Sequence, residues 1–156
     1  MKQSANRVTR CVPDENLSFR KEVEQGTMLD SFMYRVVSLP SGKAFVIGGA
    51  KDVHGAQPLK TTYEVVNGQC EERAQMWIAR SAFGLAVYPN FSQVFIAGGK
   101  INENEATKHC ERYIVAQNVW KRLPELREPK FNTTLCFFNN GGTLYCFGGL
   151  TQQGSS

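Results

Sequence analysis

Apolar residues along this chain come in short runs, not at helical spacing. FVIGG at 45–49, VFIAGG at 94–99 and LYCFGG at 144–149 each run from apolar residues into two glycines. Between them lie short stretches rich in β-branched and aromatic residues, broken by polar turns, and no segment keeps an apolar face over three helical turns. The pattern predicts strands over 110–115, 119–123, 133–138 and 143–147. The turns between them are Ala116-Gln117-Asn118 and Asn139-Asn140-Gly141-Gly142. Asn and Gly there supply the positive φ that tight hairpins need.

The pattern repeats. The pairs Gly48-Gly49, Gly98-Gly99 and Gly148-Gly149 recur every 50 residues. At the same shift Tyr63 falls on Tyr113, Met76 on Leu126, Arg80 on Lys130, and Val94-Phe95 on Leu144-Tyr145. Self-similarity at a fixed period of this size marks a repeat architecture. Each interval reads as four short strands joined by hairpins, hence one antiparallel sheet. So small a sheet cannot bury both faces alone, but several packed face to face around an axis can, as blades of a β-propeller. Glycine ending the second strand tolerates a sharp bend and a close backbone neighbour. A phosphate loop would instead feed a helix, whereas KDVHGAQPLK after Gly48-Gly49 reads as a loop feeding a strand.

These residues resemble the Kelch repeat, whose pattern is an apolar run into a double glycine, a variable loop, a Tyr and then a Trp. Gly98-Gly99, Tyr113 and Trp120 match in order. Gly48-Gly49 and Tyr63 match too, but Cys70 stands at the Trp position, with Met76 or Trp77 offered to fill the space. Arg80, and Lys130 in its place, match the Arg the family sets before the innermost strand. CVPDENLSFRK from Cys11 resembles a third strand, turn and fourth strand, with Val12 and Phe19 spaced like Tyr113 and Trp120. The expectation is therefore an all-β chain of Kelch-type propeller blades, four-stranded antiparallel sheets amounting to about three blades, not a closed ring as one chain. Residues 1–31 read as outer strands of a preceding blade, 32–78 and 79–125 as full blades, 126–150 as inner strands of a further blade, and 151–156 as a tail. Two accounts of such an arc stay open: a truncated copy of a longer Kelch adaptor, or two chains joined head to tail into a six-bladed ring.

Composition narrows the function. A chain of 156 residues with 42% apolar and 21% charged residues suits one folded domain. Its net charge of +4 is spread among acids, without a basic stripe, so no nucleic-acid partner is expected. No run is long enough for a membrane helix, and the N-terminus lacks an apolar core of signal-peptide length, so a cytoplasmic protein is expected. The five cysteines, without a C-x-x-C spacing, read as free thiols and not as a zinc site.

The resemblance implies a non-catalytic protein-protein interaction module that shows its loops to a protein or peptide partner. The loop face would carry Lys51, Asp52, His54, Asn102, Glu103 and Asn104, together with Arg80, Ser81 and Lys130 at the approaches to inner strands. Arg80 is the leading candidate, since a guanidinium grips a carboxylate through two hydrogen bonds. The competing reading has Arg80 and Lys130 pairing with neighbouring acids. Tyr63, Tyr113 and Trp120 read as core residues between blades. The alternative is a Kelch-fold enzyme related to copper radical oxidases, which would need Tyr, His and Cys converging on the axis. With only His54 and His109 available, no metal or cofactor is expected.

Overall fold

The computed structural model describes the backbone of residues 9–13 and 19–23 and all atoms of 31–67 and 69–151. Strands β1 (Thr9–Pro13) and β2 (Phe19–Val23) form an antiparallel pair. Strands β3 (Arg35–Ser38), β4 (Ala44–Ile47), β5 (Thr62–Val66) and β6 (Gln69–Glu72) form a four-stranded sheet in chain order. Strands β7 (Gly84–Val87) and β8 (Gln93–Ala97) follow, then a small hairpin, β9 (Lys100–Asn102) and β10 (Glu105–Ala106). Strands β11 (Cys110–Ile114) and β12 (Val119–Leu123) complete a second four-stranded sheet in the order β7-β8-β11-β12. Finally β13 (Phe131–Phe138) pairs with β14 (Thr143–Leu150), with no third strand beside them among the described residues. The chain is all-β and antiparallel, built of propeller blades that do not close a ring.

The turns take the conformations their residues favour. Asn118 closes the β11–β12 turn at φ +50°, and Asn139 and Asn140 turn at φ +51° each before Gly141 at +93°.

The main core lies between the two four-stranded sheets. Phe45 and Ile47 from the first sheet meet Val94, Ile96, Tyr113 and Trp120 from the second. Phe45 stands edge-on to Tyr113, with ring centroids 5.5 Å apart. The Trp120 indole donates to Thr62 Oγ1 at 3.1 Å and to the Ala74 carbonyl at 3.0 Å, so its one polar atom crosses to the first blade. Asn118 adds a further link, because its Oδ1 accepts from Tyr113 Oη and from the Ala74 N–H.

The glycine pairs hold the blades together. Gly49 N–H donates to the Arg80 carbonyl at 3.0 Å, and Gly99 N–H donates to the Lys130 carbonyl at 2.7 Å. A Cβ on Gly48 would lie 2.7 Å from that Arg80 oxygen. Gly48 and Gly98 also sit at φ +58° and +66°, which residues with a Cβ seldom adopt.

Register corrects one equivalence expected from the period. Ala44 and Val94 lie at matching distances before their glycine pairs, and they face Val65 and Tyr113 respectively. Val65, not Tyr63, therefore holds the place of Tyr113. Cys70, directly opposite Val65, holds that of Trp120. The loop from Gly49 to Thr62 is longer than that from Gly99 to Cys110, and the Val66–Gln69 hairpin turn is shorter by the same amount. The two offsets cancel, so a constant shift of 50 hides them. Tyr63 is only half-buried. Of the two proposed fillers, Met76 is buried in the inter-blade core, whereas Trp77 is 60% exposed. The pairing of β1 with β2 sets Val12 opposite Arg20 and Phe19 opposite Pro13, so Val12 and Phe19 do not face each other as Tyr113 and Trp120 do.

Trp120→Ala is expected to lose about 3–5 kcal/mol in denaturant unfolding, from lost burial and the cavity left behind. Trp77→Ala should lose about 1 kcal/mol or less, as suits an exposed ring under Arg122. Equal losses for the two would contradict this core.

Candidate functional site

The loops after the glycine pairs and the approaches to β3, β7 and β13 lie at one end of the sheets, because neighbouring strands are antiparallel. Backbone bonds tie them together: Ser81 and Lys100 exchange N–H···O bonds of 3.0 and 2.8 Å. Met33, Ala82 and Asn132, just before or at the start of the three first strands, sit at φ +53°, +51° and +54°. They are linked in series, Ala82 N–H to the Met33 carbonyl at 3.2 Å and Asn132 N–H to the Ala82 carbonyl at 2.7 Å. This line of strained backbone floors a concavity of about 350 Å³ walled by His54, Lys100, Glu103 and Asn104.

Arg80 and Ser81 are not part of this surface, which corrects their assignment to it. Both have 0% exposure. The Arg80 guanidinium donates to the Gly98 carbonyl at 2.9 Å, the His109 carbonyl at 2.7 Å and Glu111 Oε1 at 2.6 Å. Glu111 also accepts from the Trp77 and Ile78 N–H groups. Burial pulls the Arg80 pKa below its ordinary value, and the Glu111 carboxylate opposes that pull. Ser81 Oγ is buried with no hydrogen-bond partner among the described residues. The pairing of Arg80 with an acid, the second of the two sequence readings, describes the geometry.

The other candidates divide. His54 and Asn104 line the concavity. Asp52 holds its loop together: its carboxylate accepts from the N–H groups of His54, Ala56 and Gln57 at 2.9, 3.0 and 2.8 Å. Those backbone bonds, that of Ala56 first, lower its pKa. Asn102 likewise braces the β9–β10 turn, accepting from Asn104 N–H and donating to Glu105. Lys51 is exposed beside the loop, and Lys130 pairs with Glu128 at 2.9 Å. Lys100, absent from the sequence candidates, reaches across: its ammonium donates to the His54 carbonyl at 3.3 Å and lies 5.3 Å from the Phe131 ring centre. Its position directly after Gly99 was the available signal.

No group of three His, Cys, Asp or Glu side chains able to hold a metal occurs among the described residues. His109 instead pairs with Glu125 at 2.7 Å. Cys70, Cys110, Cys136 and Cys146 are free thiols, and burial raises the pKa of Cys110. No helix among the described residues is long and apolar enough to cross a membrane.

Arg80→Ala should cost about 3–5 kcal/mol in urea unfolding, because it strands the buried Glu111 carboxylate. Lys130→Ala should cost about 1 kcal/mol or less. A stable Arg80→Ala chain would return Arg80 to the list of surface candidates. Asp52 makes a pH prediction. Its pKa is depressed in the folded loop, so the loop bonds are complete above the ordinary value of about 3.9 and are lost as pH falls through the lower folded value. The amide proton shifts of His54, Ala56 and Gln57 should titrate together with a midpoint below that value. A midpoint at or above it would contradict the arrangement.

The chain matches no family model. It is 26% identical over 111 residues to Kelch-like protein 41a of Danio rerio, an alignment covering 71% of this chain and 18% of that protein. Its fold matches a fungal alcohol oxidase of the AA5 family, solved in complex with copper, at a TM-score of 0.76 and 18% identity, covering 97% of this chain and 34% of the oxidase. The chain thus spans about a fifth of its curated relative and a third of its structural one. At that identity the oxidase shows a shared fold and nothing of its chemistry. Repeat period, sheet topology and both comparisons agree that the chain is a run of Kelch-type β-propeller blades.

Proposed function

We propose that the chain is a non-catalytic interaction module that receives a protein or peptide segment on the loop end of its blades. The observation that carries this reading is the concavity between successive blades, where Lys100, His54 and Asn104 stand over the linked backbone of Met33, Ala82 and Asn132. A rigid floor with polar side chains from separate loops is how a scaffold presents recognition groups. The Lys100 ammonium would take an acidic side chain of the partner. Asn104 would hydrogen-bond the partner's backbone, and the Phe131 ring beneath Lys100 offers an apolar contact. The likeness to a Kelch-like protein supports a protein partner over a small substrate. Lys51, farther along the loop, would add charge at the margin, and Asp52 and Asn102 would serve by holding the loops in shape. A cytoplasmic location belongs to the same proposal.

A displayed library of random peptides, panned against the whole chain, tests this. Enriched peptides should carry acidic residues, and Lys100→Glu or His54→Ala with Asn104→Ala should weaken their binding at least tenfold without moving the melting temperature by more than a few degrees. Peptides that bind these variants as tightly as the parent chain would sink the proposal.

A further inference from the structure

Most charges at the loop end of the blades are already engaged. The Asp52 carboxylate accepts three N–H groups of its own loop. Glu105 accepts from Asn102 Nδ2 at 3.0 Å. Lys130 pairs with Glu128, and Lys108 with Glu125. Lys51 is exposed but does not line the concavity. Lys100 and Glu103 do line it. Among the described residues the Glu103 carboxylate has neither a hydrogen bond nor an ion pair. The Lys100 ammonium has the His54 carbonyl at 3.3 Å and the Phe131 ring, and no carboxylate among the described residues neutralises it. The concavity therefore holds one uncommitted cation and one uncommitted anion.

Both come from the β9–β10 hairpin, which is braced. Lys100 lies opposite Ala106, and Asn102 opposite Glu105. The Asn104 N–H donates to Asn102 Oδ1 at 2.9 Å across the turn. The Lys100 backbone exchanges two bonds with Ser81, which ties the foot of the hairpin to the start of the second blade. Lys100 is thus fixed at the foot and Glu103 at the tip. Residues three apart on extended chain lie about 10 Å from each other. At that separation in water unlike charges attract only weakly, so each stays available to an outside charge.

This inference rests on the reading of the concavity as a peptide site and names the segment that fits it. We propose that the partner segment carries one acidic and one basic side chain two to four positions apart, the acid on Lys100 and the base on Glu103. An extended segment advances about 3.3 Å per residue, so such a pair spans roughly 7–13 Å, which matches the hairpin. A uniformly acidic segment is selected against, because its second acid would face the Glu103 carboxylate. The two charges also set direction: the acidic end of the segment lies toward the blades and the basic end toward the hairpin tip.

Peptides enriched on the whole chain from a displayed random library supply the probes. They should carry the acid and the base at this spacing and in one order. Replacing the base of such a peptide by Gln should weaken binding to the parent chain at least threefold and leave binding to Glu103→Gln unchanged, so that the two changes are coupled. Exchanging acid and base within the peptide should weaken binding to the parent at least tenfold. The double variant Lys100→Glu with Glu103→Lys should reverse that preference. Glu103 is exposed and Lys100 half-buried, so melting temperatures should stay within a few degrees of the parent. Glu103→Gln, which hardly changes volume, decides the matter alone where the double variant melts early. Enriched peptides that carry acids only, or a peptide base whose loss costs the same with and without Glu103, would overturn this inference. The loop-end site itself would stand in that case if Lys100→Glu still weakens binding. Binding that ignores Lys100 as well, or a library that enriches nothing, would overturn both.

Discussion

A backbone carbonyl of one blade lies where a side chain of the preceding blade would otherwise project. The Arg80 oxygen meets Gly48-Gly49 and the Lys130 oxygen meets Gly98-Gly99, each accepting an N–H from the second glycine. Any Cβ on the first glycine would collide with the Arg80 or Lys130 oxygen, and the left-handed backbone that aims the N–H would strain any other residue. From this contact follow the spacing between blades, the burial of Phe45 against Tyr113, and the strand-to-strand alignment that brings the loop ends together.

Around that contact the charges divide into two kinds. Arg80 and Glu111 are sealed inside the second blade, each with further hydrogen bonds to backbone groups. A pair in that position fixes the crossing segment 76–80 and cannot exchange its partner for an outside ligand without stranding a buried charge. Lys100, Glu103 and Asn104 sit above the backbone line of Met33, Ala82 and Asn132, where a change of side chain alters the surface and leaves the core intact. Scaffold and recognition surface are adjacent in space, and depth alone separates their roles.

Much of the architecture was legible because its causes are local. Asn118, Asn139 and Asn140 turn the chain as their side chains allow, and the glycine pairs declare the close approach in their own composition. The candidate site was legible at His54, Glu103 and Asn104. Arg80 looked like a surface group because charge is usually exposed, and its partner Glu111 lies on another strand, 31 residues on. The likeness of Tyr63 to Tyr113 misled for a related reason: a longer loop and a shorter turn cancel in the count while moving the strand one pleat along its neighbour.

By itself, the sequence determined that the chain would be antiparallel blades at a period of 50 residues, since glycine pairs, turn residues and short apolar runs act through the backbone nearby. Tertiary structure alone decided which residues face a neighbour and which face solvent. Register between strands and burial between sheets depend on contacts made far along the chain. For that reason only the fold could separate Arg80 from Lys100, Met76 from Trp77, and the covered ring of Phe45 from the open ring of Tyr145.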